Sequence, residues 1–270
     1  MCGIAGFLST GAAGPGEGVL RAMGNAMVHR GPDACGTYLS PDGRAGLSHR
    51  RLSILDLSPA GAQPMFSADG SLVLSEIRAE LEGKGNTFRG GSDTEVMLAA
   101  FREWGVEDAV RRFIGMFAFA LWDADARELY LVRDRLGIKP LYLARLPGLF
   151  LFASEMKALL AYPDFPRELD RSALQYYLEF QYVPAPHAIY RNVEKVLPGH
   201  IVEIDCDGKI TDRAYWDLFE HWGKPEGRPR TEGEYEEELS ALLDSSIRYR
   251  MISDVPLGTF LSGGIDSSLV

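Results

Sequence analysis

The sequence predicts an α+β fold that runs into the start of a second, α/β unit. Three observations carry that reading. Between residues 115 and 153 the apolar runs GMFAFALWD, ELYLVRD, LYLA and LFLFA are separated by turn residues such as Asp123 to Asp125 and Pro147-Gly148, the pattern of antiparallel hairpins. Helical spacing lies apart from them, after Ser92 and again from Thr231 to Ile252, where Tyr235, Leu239, Leu242, Leu243 and Ile247 fall at helical intervals. At the far end Val255 to Leu261 reads as a strand, Ser262-Gly263-Gly264 as a tight turn and Ile265 to Val270 as a helix start, the repeating unit of α/β sheets.

Composition narrows the function classes. The chain has 270 residues, 46% of them hydrophobic, enough for one large or two modest domains. Its net charge of −10, without a basic run, argues against a nucleic-acid surface or a polybasic membrane anchor. The three cysteines, at 2, 35 and 206, are widely spaced and odd in number, so they read as cytoplasmic thiols and not as a disulfide framework or zinc site. No basic start followed by an apolar run marks a signal peptide. The longest apolar runs are too short to span a bilayer.

In chain order, Gly3 to Leu8 suits a buried strand, and residues 11–16 a Gly/Ala/Pro loop. Val19, Leu20, Met23 and Met27 mark a helix over 17–28, and His29-Arg30-Gly31-Pro32-Asp33 a turn. Ala45 to Leu57 reads as one strand with Arg50 or Arg51 near its middle. Ser58 to Gly70 reads as a loop, Leu72 to Leu74 as a short strand and Glu76 to Lys84 as a helix. Ser92 and Glu95 have capping-box spacing. Phe117, Phe119 and Trp122 alternate like core positions. Ser154 to Leu160 and Ser172 to Gln181 read as helices, His200 to Asp205 and Lys209 to Arg213 as a hairpin about Asp207-Gly208, and His221 to Arg230 as a linker. Cys35 and Cys206 read as ordinary buried thiols, and the five histidines lack metal-ligand spacing.

Two stretches carry chemistry. Once Met1 is removed, Cys2 holds a thiol and a free α-amine on one residue. With ordinary pKa values of about 8.5 and about 7.7–8.0, the amine can take the thiol's proton near neutral pH. The same residue can equally be a small buried hydrophobe near a terminus. At the other end, Gly263 and Gly264 let backbone N–H groups approach a ligand. The helix that follows adds unpaired donors and a positive dipole end, which suits phosphate or pyrophosphate. Asp266 would repel a bare phosphate, so it suggests Mg²⁺ between carboxylate and nucleotide. The plainer alternative is a glycine turn with an Asp/Ser-rich helix cap.

Taken together, the chain resembles the glutamine-dependent asparagine synthetases, class II amidotransferases with an N-terminal nucleophile. The matching pieces occur in the family's order: Cys2 to Gly6, His29 to Asp33, Arg51 to Asp56, Ser92 to Glu95, Arg133 to Tyr142, Phe152 to Leu159, Leu197-Pro198-Gly199 and Ser262 to Ser268. The resemblance implies a four-layer αββα sandwich of the N-terminal-nucleophile hydrolase type over residues 2–212. Residues 213–270 would be the incomplete start of an ATP-pyrophosphatase domain. It implies glutaminase chemistry at Cys2, an Arg51 clamp on the glutamine α-carboxylate, the backbone of Leu52, Ser53, Ile54 and Leu55 lining the pocket, and Asp93 on the α-ammonium. Without it, Arg51 is a strand-edge charge and Asp93 a first-turn helix residue. In the second part Leu261 would meet adenine through its backbone. Ser262, Gly263, Gly264, Asp266 and Ser267 would hold ATP, with Asp266 on Mg²⁺. The implied partners are glutamine, aspartate and ATP, with a homodimer as the assembly. The implied activity is a ligase that adenylates aspartate and forms asparagine with the released ammonia.

The match breaks in two places. The family carries an Asn-Gly-Glu segment after the strand matching Leu72 to Leu74, and its Asn side chain and Gly N–H form the oxyanion hole. Here Ser75 runs straight into Glu76-Ile77-Arg78, and about ten residues are missing by ordinary loop lengths. The sequence also stops at Val270, inside the helix that the pyrophosphate loop opens, so this polypeptide alone is expected not to make asparagine. Three readings remain: part of an asparagine synthetase, a related amidotransferase acting on another carboxylate, and a degenerate glutaminase-like domain that only binds or scaffolds.

Overall fold

The computed structural model describes residues 2–58, 61–65, 69–73, 75–223 and 230–269, so Met1, Leu74, Val270, part of the expected 58–70 loop and most of the expected 221–230 linker lie outside it. The first strand, β1 (Gly3–Ser9), is buried along its whole length, as a continuous apolar run demands of a strand covered on both faces. It lies centrally in a six-stranded antiparallel sheet with β2 (Ala34–Leu39), β3 (Ala45–Arg51), β7 (Tyr142–Leu146), β8 (Leu149–Ala153) and β9 (Val193–Lys195), in the order β2-β3-β1-β8-β7-β9. The second sheet, also antiparallel, has the order β11-β10-β6-β5-β4. Its strands are β4 (Asp69–Val73), β5 (Ile114–Asp123), β6 (Glu128–Arg133), β10 (His200–Asp205) and β11 (Ile210–Ala214).

The two sheets face each other. Ile4, Leu47 and Phe152 of the first pack against Ala120, Trp122, Leu131 and Ile204 of the second. The alternation along β5 turns Phe117, Phe119 and Leu121 the other way, toward α2 (Ser75–Gly83) and α3 (Asp93–Arg112). On the outer face of the first sheet, Ala5, Phe7 and Leu151 meet Leu20, Met23 and Met27 from α1 (Glu17–Asn25) and its C-terminal turn, and Ala158 and Leu159 of α4 (Met156–Leu159). Helix, sheet, sheet, helix: the expected four-layer αββα arrangement is present. Fully burying each of these Phe and Leu side chains is worth about 1.5–3 kcal/mol, which makes the two sheets a stiff frame for whatever stands at the end of β1.

Several local expectations are corrected. The strand expected over Ala45 to Leu57 ends at Arg51, because the next N–H groups leave the ladder: that of Leu52 points at the Cys2 sulfur and that of Ser53 at the Asp33 carboxylate. Ser92 does cap α3, accepting from the Thr94 N–H at 3.3 Å, but Glu95 does not complete a capping box. Its carboxylate instead accepts from the backbone of Arg89 and Gly90. Val255 to Leu261 forms no strand, since no neighbouring strand supplies hydrogen bonds. Cys35 is exposed and Cys206 half-buried, so neither is a core thiol. Helix α5 (Arg171–Phe180) precedes β9, and past β11 come the short α6 (Leu218–His221) and then α7 (Glu232–Arg250), which starts with a true capping box from Thr231 and Glu234. Leu239 and Leu242 on α7 are exposed, and α8 (Ile265–Leu269) closes the described chain. No helix among the described residues is long and apolar enough to cross a membrane.

Candidate active site at the first strand

The strand pairing that sets Gly3 opposite Arg50 carries Cys2 opposite Arg51, at the end of the sheet where β3 stops. Cys2 is half-buried. The Leu52 N–H donates to its sulfur at 3.3 Å, and the sulfur lies 3.6 Å from the Leu52 carbonyl oxygen. The N–H favours the thiolate, whereas the carbonyl, accepting from the S–H, favours the thiol.

Arg51 is buried, and its guanidinium donates to the carbonyls of Leu55, at 3.2 Å, and Asp56. The loop after β3 therefore curls around the arginine, with Asp56 in the left-handed region at φ 53°. The Asp56 carboxylate accepts from Ser58 and from the Gly91 N–H at 3.1 Å. The Ser58 hydroxyl bond, against the opposing effect of burial, holds Asp56 below the usual carboxylate range. The Gly91 bond ties the loop to the N-terminus of α3, where Asp93 sits half-buried. Arg51, the 52–55 backbone and the Asp93 helix start thus belong to one connected neighbourhood next to Cys2. Arg50 faces the opposite side of the sheet, donating to Gly24 at 3.2 Å and to Asn25, as strand alternation requires.

The His29 to Asp33 turn braces this neighbourhood from below. The Asp33 carboxylate accepts from the Ser53 N–H at 2.7 Å, and the Asp33 N–H donates to the Arg51 carbonyl at 3.1 Å. Gly31 is required here, because a Cβ would press into the Arg50 carbonyl and the Arg51 nitrogen. Of Arg30 and Glu155, which sequence reasoning saw only as motif members, Arg30 reaches Cys2 directly and Glu155 through Arg30. Arg30 Nε donates to the Cys2 carbonyl at 2.8 Å, and its Nη1 to Glu155 at 3.1 Å. Burial would raise the Glu155 carboxyl, but bonds from His29, Lys157 and Arg30 outweigh it and hold it at about 2.

A second contact was also absent from the sequence reading. The Asp254 N–H donates to the Ile54 carbonyl at 2.9 Å, and its carboxylate accepts from the Asp56 N–H at 2.7 Å. The segment after α7 is thereby fastened to the loop beside Cys2. A cavity of about 470 Å³ opens there, lined by Ile54, Leu55, Met116, Leu242, Tyr249 and Leu257. The glycine loop lies apart from it. Gly263 takes φ 77°, the Ser262 and Ser267 hydroxyls are 2.8 Å apart, and the hydroxyls of Ser267 and Ser268 donate to the Gly264 carbonyl. Leu261 and Asp266 are exposed. The donor set of hydroxyls and left-handed backbone suits a polyphosphate. No cluster of three metal-ligating side chains occurs among the described residues, so Asp266 would have to share a cation with the nucleotide's own oxygens.

A four-layer sandwich with a cysteine at the mouth of its central strand is the architecture of the N-terminal-nucleophile hydrolases. The fold is similar to that of a solved glutamine phosphoribosylpyrophosphate amidotransferase from B. subtilis, complexed with ADP and GMP: TM-score 0.56 at 17% identity, over 80% of this chain and 49% of that one. Residues 1–216 match the family model for the glutamine amidotransferase domain, and the chain belongs to that family. Residues 238–270 match the asparagine synthase model. Asparagine synthetase [glutamine-hydrolyzing] 1 of Bacillus subtilis is 39% identical across the whole chain, which spans 43% of that relative. A putative asparagine synthetase of Mycobacterium tuberculosis is 37% identical, with 45% of its length spanned. The chain thus covers somewhat less than half of either curated relative. The aligned lengths, 285 and 297 residues, exceed the 270 of this chain, so these relatives carry residues it lacks within the matched region.

Proposed function

We propose that this chain hydrolyses glutamine at Cys2 and serves a glutamine-dependent asparagine synthetase. The observation that carries the reading is the Cys2 sulfur at the end of a rigid central strand, facing the Leu52 N–H, with Arg51 and the Asp93 helix start in the same neighbourhood. After removal of Met1, the Cys2 amine takes the thiol proton and the sulfur attacks the side-chain amide carbon of glutamine. The tetrahedral adduct then expels ammonia, which receives that proton. Water, deprotonated by the same amine, cleaves the thioester to give glutamate and the free thiol. Arg51 would pair with the α-carboxylate and Asp93 with the α-ammonium, while the backbone of Leu52, Ser53, Ile54 and Leu55 lines the pocket. Carboxylate pairing suits a planar two-donor fork.

For the second half of the reaction, Ser262, Gly263, Gly264 and Ser267 would hold the phosphates of ATP, the Leu261 backbone would meet the adenine and Asp266 would share Mg²⁺. Bound there, ATP would supply the activation of the aspartate carboxylate. The domains would divide near residues 212 and 213, and the whole would act in the cytoplasm as a homodimer.

A specific observation favours a second reading, a glutaminase-like domain that only binds: the strand before Ser75 leads directly into α2, with no Asn-Gly to stabilise an oxyanion. Glutamate release decides between them. The proposal expects glutamate and ammonia from glutamine with the wild-type chain and none with Cys2→Ala; silence from both would leave the binding role.

A further inference from the structure

We propose that Glu155 is a positioning residue for the nucleophile: through Arg30 it fixes the Cys2 backbone and sets the charge beside the thiol and the amine. The inference rests on Cys2 being the reactive residue. Glu155 occupies the N-cap of α4 yet makes no side-chain bond to that helix. Its carboxylate turns instead to three cationic or basic groups: His29 at 3.0 Å, Arg30 at 3.1 Å and Lys157 at 3.0 Å. Arg30 is the group that matters for Cys2. Its side chain is only 9% exposed, and its two ends bridge Glu155 and the Cys2 carbonyl.

The adjoining Ser154 holds Ile4, two residues along the strand, by both of its backbone groups. Its N–H donates to the Ile4 carbonyl at 2.8 Å, and its hydroxyl accepts from the Ile4 N–H at 3.0 Å. Residues 154 and 155 together therefore clasp the start of β1. Gly3 completes the fit, since a Cβ there would stand 3.3 Å from Arg30 Cδ.

A guanidinium bonded to the carbonyl of Cys2 lies close to that residue's amine and thiol. Positive charge there favours the neutral amine and the thiolate. The Glu155 carboxylate tempers this field. The charged and titratable groups around Cys2 are His29 and Arg30 on the turn after α1, Glu155 and Lys157 at the start of α4, His49 and Arg51 on β3, Asp33 beside the loop after β3, and Tyr142 on β7, which feels the Glu155 charge. Without Glu155, Arg30, His29 and Lys157 lose a shared counter-charge, and both Cys2 groups release protons at lower pH.

The test follows Cys2 alkylation by iodoacetamide against pH, in the chain produced with Cys2 first and Met1 removed, reading the Cys2 peptide by mass spectrometry. Glu155→Gln is expected to lower the midpoint of the profile by about half a pH unit or more, at an unchanged melting temperature. Lys157→Met, at an exposed position, keeps the Arg30 bond and removes one cation, so it moves the midpoint upward. Coincident profiles in the folded variants, or shifts of the opposite sign, overturn the proposal. If Glu155→Gln does not fold, the direction seen with Lys157→Met decides. Alkylation needs no glutamine: a chain that shows these shifts but releases no glutamate rejects the proposed hydrolysis and leaves the role of Glu155 standing.

Discussion

The backbone N–H of Leu52 points at the sulfur of Cys2 from 3.3 Å. Two residues fifty positions apart meet because β3 ends at Arg51, freeing the next N–H from the sheet ladder. What would have been a strand bond becomes a bond to the nucleophile, and the shape of the loop after β3 sets how well it is aimed.

That loop is wrapped on Arg51, so Arg51→Lys should loosen it. Lysine keeps the charge, but its shorter side chain has no nitrogen where Nη2 donates to both Leu55 and Asp56. Bonds to a charged group are worth about 1.5–3 kcal/mol, so the unfolding free energy from urea denaturation should fall by a comparable amount. The KM for glutamine should rise in the same variant.

Gly31→Ala should be as costly without removing any polar side chain. The new Cβ meets backbone, which cannot rotate away, so the turn carrying Arg30 and Asp33 must shift. Overpacking of this kind costs about 1–3 kcal/mol, measurable by urea denaturation.

His49 makes stability depend on pH. It is 3% exposed, and neither ring nitrogen has a hydrogen-bond partner among the described residues. Burial, aided by the Arg51 charge, pushes it from 6.5 down to about 3. Its folded value lies below its unfolded one, so the unfolded chain binds the extra proton between them. Its contribution is complete above about pH 6.5 and is lost as pH falls toward 3. The urea midpoint should be lower at pH 5.5 than at pH 7.5, and His49→Leu should flatten that difference, since leucine replaces a group with unpaired nitrogens by an apolar one.

The missing Asn-Gly segment predicts a reactive thiol joined to slow turnover. Each lost oxyanion donor costs about 10²–10³ in rate. Inserting Asn-Gly-Glu, with the accompanying loop, between β4 and Ser75 should raise kcat for glutamate release by at least that factor while leaving Cys2 alkylation within about threefold.

Much of the frame was legible in the chain. The apolar run from Gly3 to Leu8 reads as a buried strand and is one; Phe117, Phe119 and Trp122, read together as core, are all buried but divide between two layers, the first two facing α2 and α3 and Trp122 the other sheet. Local signals failed where a group outside the element competes for a hydrogen bond. The end of β3 is decided by Cys2 and Asp33, and Glu95 serves Arg89 and Gly90 instead of its own cap. Val255 to Leu261 has strand composition, but composition supplies no partner strand. Glu155 could not be read at all, because its bond to Arg30 spans 125 positions and exists only in the folded sheet.

The most direct measurement is covalent labelling with a diazoketone analogue of glutamine, mapped by peptide mass spectrometry on the chain beginning at Cys2. Cys35 is the more exposed thiol, so simple accessibility favours it. The account predicts one adduct, on the Cys2 sulfur, suppressed by excess glutamine, with Cys35 and Cys206 unmodified. Labelling that falls on Cys35, or that reaches Cys2 at a rate glutamine does not slow, would contradict it.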